Sequence, residues 1–123
     1  MKFPFTMASL LLAYSLAIGG PVIETIEPSA ASTTTGEKPQ SKVWYHLGFY
    51  WSVFPDSTGT WLRRLDTNIW TPIAKVSAST KTKADCKKVG DLVHLLLYTG
   101  TKSSLVSMEY VSSQGIYVPW SVR

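Results

Sequence analysis

The chain has 123 residues, with 12 Lys or Arg against 8 Asp or Glu, a formal net charge of +4 and a single cysteine, Cys86. That length favours one domain, one cysteine excludes an intrachain disulfide, and a balance this mild gives no general expectation of a nucleic-acid partner. Five Trp, six Tyr and four Phe, all but three of them beyond residue 43, supply a small core with large rings.

Lys2, the apolar run Met7 to Ile18 and the small pair Gly19-Gly20 read as a secretory signal peptide over residues 1–19. The run is too short for a membrane anchor, which needs about 20 apolar residues, so an exported extracellular protein is expected. Cleavage after Gly19 removes Lys2 and leaves a net charge of +3. Residues 20–42 hold three prolines, seven Ser or Thr and no aromatic residue. They read as a disordered linker or pro-segment, because they offer too little apolar area to offset ordering entropy. The only asparagine, Asn68, is followed by Ile69 and Trp70, so there is no N-glycosylation sequon.

Residues 43–123 read as a single β-rich domain. In the run VWYHLGFYWSVF the odd positions Val43, Tyr45, Leu47, Phe49, Trp51 and Val53 are apolar or aromatic, which predicts one long strand with that face in the core. Pro55 to Gly59 then supplies turn chemistry before a strand over Thr60 to Leu65. Ile69 to Ser77 is the third strand, placed at a sheet edge by Pro72. Ala78 to Lys88 reads as a basic loop. The Leu-rich stretch Val89 to Tyr98 fits either a buried strand or a helical face. Gly90 weakens a helix by about 1 kcal/mol, which favours the strand. Strands over Leu105 to Val111 and Ile116 to Val122 complete a mainly β fold, a six-stranded antiparallel β-sandwich. The alternative is α+β, with a helix near residues 85–98.

No catalytic motif stands out. His46 and His94 are the only histidines, and with Asp91, Glu109, Arg63 and Arg64 they are the groups from which a metal-free ribonuclease site would be built. Nothing local ties them together, and a structural histidine is the commoner outcome. Two isolated histidines and one cysteine form no zinc-type ligand pair, so no metal or cofactor is expected. Cys86 lies among Lys83, Lys87 and Lys88, whose charges favour a thiolate, while Asp85 opposes them. It is read as a free thiol or as the link of an intermolecular dimer. Trp44, His46 and Tyr50 share the even face of the first predicted strand. Together with Lys81, Lys83, Lys87 and Lys88 they form the candidate interaction surface, for a protein partner or for stacking sugar rings, the alternative for the strand's even face being a second buried face of the sandwich.

A cleavable leader, a short Ser/Thr-rich spacer and one small aromatic β domain together resemble the small secreted candidate effectors of plant-pathogenic fungi. The likeness is one of layout and covers the whole chain. Within that group the six predicted strands resemble the MAX effectors, β-sandwiches that bind host proteins. The cysteine pair that usually bridges MAX sheets has no counterpart here, because Cys86 stands alone. The α+β alternative resembles the ribonuclease-like effectors, without their tyrosine-x-cysteine motif. The resemblance implies a secreted, non-enzymatic virulence effector that binds a host protein, outside the host cell or after entry into it. A secreted carbohydrate-binding module is the alternative, and a ribonuclease-like enzyme stands behind both.

Overall fold

The computed structural model describes residues 25–32 and 41–120. The leader read over residues 1–19, much of the spacer and positions 121–123 lie outside the described residues. Eight strands follow in chain order: β1 (Val43–His46), β2 (Phe49–Asp56), β3 (Gly59–Asp66), β4 (Ile69–Ser77), β5 (Lys83–Val89), β6 (Leu92–Tyr98), β7 (Ser103–Val111) and β8 (Ile116–Pro119). They form two antiparallel sheets of four, sheet A in the order β1-β2-β3-β4 and sheet B in the order β5-β6-β7-β8. No described residue is helical, so the α+β alternative with a helix near 85–98 is not what this sequence adopts.

Eight strands replace the expected six for two local reasons. The first predicted strand is broken by a two-residue turn at Leu47 and Gly48, with φ of 46° and 89°. Positive φ at both central positions is the hairpin turn whose twist matches its flanking strands. The second reason lies in the expected basic loop, which ends at Thr82, because Lys83 to Val89 pairs along its whole length with β6. In β5 small Ala84 and Cys86 turn toward the core and charged residues alternate with them, a pattern that composition alone disguises as a loop. Gly90 and Asp91 then make the turn into β6, with Gly90 at φ 58°.

The break at Leu47 and Gly48 also reverses which side of the sequence faces inward. Across it Trp44 pairs with Trp51 and His46 with Phe49, and paired residues share a face. Even positions of β1 therefore join odd positions of β2. Trp44, Trp51, Val53 and Leu62 of sheet A meet Ala84, Val93, Leu95, Leu97, Met108 and Tyr117 of sheet B in one core cluster. Trp51 and Val53 are buried as expected, whereas Tyr45 and Leu47 are 58% and 59% exposed and Phe49 stands at the rim. The core is a packed ring cluster. Tyr117 lies 4.9 Å from Trp51, 5.3 Å from Tyr110 and 5.8 Å from Trp44, all edge to face, the arrangement favoured by the ring quadrupole.

β4 and β8 are edge strands of their sheets and carry Pro72 and Pro119, which cannot donate to an added strand. On the other side, residues 41 and 42 cross between the sheets: Val53 N donates to Lys42 O (3.2 Å) and Cys86 N to Ser41 O (2.6 Å). The described part of the spacer also contacts the domain. Glu27 N donates to Asn68 O (2.8 Å) and Ser32 N to Pro55 O (3.1 Å).

Candidate functional site

Trp44 and His46, expected in an exposed row with Tyr50, are instead only 8% and 7% exposed. The hairpin turn puts them on the inner face, so the row expected on the even positions is not assembled there. They enter a hydrogen-bonded chain between the sheets. The Asp91 carboxylate, in the β5–β6 turn, lies 3.2 Å from His46 Nε2. His46 Nδ1 is 2.6 Å from the Tyr117 hydroxyl, which accepts from Trp44 Nε1 at 3.2 Å. One tautomer satisfies every member: Nε2–H donates to Asp91, Nδ1 accepts the Tyr117 proton, and the Tyr117 oxygen takes the indole N–H.

The electrostatics agree with that arrangement. Burial holds the His46 imidazole below its ordinary range, and the Lys88 charge pushes the same way against Asp91. Burial also pushes the Tyr117 hydroxyl up to about 12, with Asp91 adding to the rise and the Trp44 donor opposing it. The order acid, histidine, hydroxyl has the form of a nucleophile chain. Here, however, the hydroxyl is sealed in the core and held protonated. What the chain does is tie β1 of sheet A to β8 and the β5–β6 turn of sheet B through three polar contacts.

The other groups considered for catalysis do not converge on it. His94 alternates with buried Val93 and Leu95 and therefore stands on the outer face of sheet B, where its Nδ1 meets Ser107 Oγ at 2.8 Å. Glu109 is exposed on that same sheet. On sheet A, Arg63 is ion-paired with Asp56 and lies over the Phe54 ring at 4.5 Å. Arg64 holds Asp66 at 2.6 Å and reaches Gly115 O at 3.2 Å. These pairings, led by the Thr58 hydrogen bonds for Asp56 and by Arg64 for Asp66, keep both carboxyls below the usual carboxylate range.

Cys86 is half-buried on the inner side of β5. Burial, with the Asp85 charge second, pushes its thiol up to about 11, the direction opposite to the one the neighbouring lysines favour. Among the described residues, no group of three His, Cys, Asp or Glu is placed to hold a metal ion.

What remains of the expected interaction surface is split between the layers. Tyr50 is exposed on sheet A and packs edge to face on Tyr45, with ring centroids 5.2 Å apart. Lys83 and Lys87 point outward from sheet B, Lys81 stands exposed in the preceding loop, and Lys88 turns to the inner side near His46. The lysines on sheet B border residues that sequence reasoning did not single out. Leu96 and Leu105 are direct cross-strand partners at the middle of the sheet, yet they are 47% and 67% exposed. Val89 and Tyr98 are exposed on the same face. The run Leu95-Leu96-Leu97 hid this, since an unbroken apolar run gives no alternation from which to tell inner from outer.

Compared with known proteins, the chain matches no family model, no curated protein and no solved structure.

Proposed function

We propose that the protein is a secreted, non-enzymatic interaction protein, a virulence effector that binds a host protein through the outer face of sheet B. The observation that carries this reading is the exposed pair Leu96 and Leu105 on the two central strands, extended along β6 by Tyr98. Outward positions of a sheet that faces water are ordinarily polar. A contiguous apolar patch rimmed by polar groups is the signature of a protein-binding surface. On β5 the patch is bordered by exposed Asp85, the direct partner of Leu96, with Lys83 and Lys87 on either side, so the complementary surface is apolar at its centre and carries both signs of charge at that rim.

In this reading the two sheets are the layers of a β-sandwich of the MAX kind. The chain Asp91–His46–Tyr117–Trp44 then takes the bridging role that a cysteine pair has in that family. The signal-peptide reading of residues 1–19 supports export.

The test is capture of host proteins from plant extract by the full secreted protein and by a Leu96→Glu/Leu105→Glu variant with an unchanged circular dichroism spectrum. The expected result is a defined set of host proteins retained by the parent and lost by the variant. Retention of polysaccharide that disappears on Tyr50→Ala would favour the carbohydrate-binding alternative. An unchanged captured set, or RNA degradation that depends on His94, would refute the proposal.

A further inference from the structure

The outer face of sheet A carries a second apolar site that owes nothing to the sheet B patch. Phe54 is buried, yet it is absent from the core cluster between the sheets. It packs on the outer side against Trp70, with centroids 6.2 Å apart and rings nearly perpendicular, and beneath the Arg63 guanidinium. Residues 25–32 lie over this face. They are tied at one end by Glu27, whose N–H donates to Asn68 O (2.8 Å) and whose Oε1 accepts from Asn68 Nδ2 (3.4 Å). At the other end Ser32 N donates to Pro55 O (3.1 Å) and Ser32 Oγ to Thr80 O. Asn68 lies in the β3–β4 turn, whereas Pro55 is near the far end of β2 and Thr80 is in the loop that follows β4, so the segment runs along the strands.

Alternate residues of the segment, Glu27, Ser29 and Ala31, line an open groove of about 260 Å³ whose floor includes Val43, Ser52, Phe54 and Trp70. Period-two alternation is that of extended chain. The occupant does not fill its seat. Ser29 and Ala31 are too small to take up the volume, and every residue from 25 to 32 stays exposed. With residues 25–32 in place the open groove still has room for far more than the ~10–15 Å³ that one water needs. It suits one large side chain borne on an extended backbone, a recognised mode of peptide docking on aromatic grooves. Arg63, the cross-strand partner of Ser52, adds a polar feature beside the groove, since its buried Nε has no hydrogen-bond partner.

We propose that this groove is a docking site for an extended peptide segment of a partner protein, one that carries a large apolar side chain, and that residues 25–32 cover it in cis. The segment shows the backbone path that a ligand would follow, and its small side chains make it a displaceable cover.

The test uses the full secreted chain and two fluorescent synthetic peptides, one with the sequence of residues 25–32 and one with leucine in place of Ser29. The leucine peptide should bind at least tenfold more tightly than the unchanged one. Its amide NMR shifts should centre on Val43, Phe54 and Trp70 and leave Leu96 and Leu105 unmoved. Ser32→Pro in the chain removes the N–H and hydroxyl that hold the cover and should tighten peptide binding by roughly tenfold. Ser29→Leu in the chain should fill the groove and block the peptide. Neither change touches the domain's core, so both variants should keep the fold of the parent. Absence of binding by either peptide, indifference to Ser32→Pro, or shifts confined to sheet B would overturn the proposal. A concentration-dependent dimer of the full chain that Ser32→Pro abolishes would also overturn it, because the occupant would then be a second copy's segment.

Discussion

Tyr117→Phe isolates the polar chain between the sheets from the packing around it. The phenyl ring keeps the edge contacts to Trp51 and Trp44, so little apolar burial changes. What is lost is one oxygen that serves two buried neighbours, His46 Nδ1 at 2.6 Å and Trp44 Nε1 at 3.2 Å. A buried donor or acceptor left without a partner costs about 1–3 kcal/mol, and two of them suggest a loss of about 3 kcal/mol. Against a typical domain stability of about 5–15 kcal/mol that is a large fraction. Urea unfolding followed by tryptophan fluorescence should show the midpoint falling by about 1–3 M with an unchanged slope, using a slope of about 1–3 kcal/mol per M. Tyr50→Phe, which trims a hydroxyl from an exposed ring, should stay within about 0.5 kcal/mol of the parent. A Tyr117→Phe loss no larger than that of Tyr50→Phe would refute the view that the chain is a stabilising tie.

Two further predictions come from the same architecture. Because burial depresses the His46 pKa below 6.5, the unfolded chain takes up the proton more readily than the folded one. The stability tied to neutral His46 is therefore full above pH 6.5 and is lost as pH falls through the folded value. Urea midpoints should drop between pH 7.5 and pH 5 in the parent and less so in His46→Gln; equal slopes in both would refute the assignment. Asp56 and Asp66 do not confuse that window, since their pairings move them below 3.8. Gly59→Ala should cost about 2 kcal/mol or more by the same assay, because at φ 142° a Cβ would stand 2.5 Å from Lys75 Cε and 2.7 Å from the Ser77 carbonyl. Gly48→Ala, at φ 89° with open space around it, should cost less, and the reverse order would contradict the described β3–β4 packing.

The sheet-forming segments were legible wherever turn chemistry was explicit. Asp56, whose Oδ1 accepts from Thr58 N at 2.7 Å, marks the β2–β3 turn as its residue type suggests. Ile69–Ser77 has the predicted bounds and the predicted edge position. The failures in the first run share one cause, distinct from the alternating charges that disguise β5 as a loop. Leu47 adopts φ 46°, a conformation that Asn or Gly would have announced and leucine does not. Once that turn is missed, every later inference about faces in the first run is displaced by one residue, and a period-two pattern turns a shift of one into a reversal of inside and outside.

That reversal bears directly on function. The rings expected at the surface, Trp44 and His46, are spent on holding the two sheets together, and the residues expected in the core, Tyr45 and Leu47, stand in solvent beside Tyr50. Sheet B repeats the trade, with Leu95 and Leu97 buried and Leu96 exposed between them. Without a disulfide, a domain this small must bury its large rings to stand. Its outward apolar side chains then contribute little to the fold, which is why substitutions at Leu96 and Leu105 can test the proposed binding without unfolding the domain.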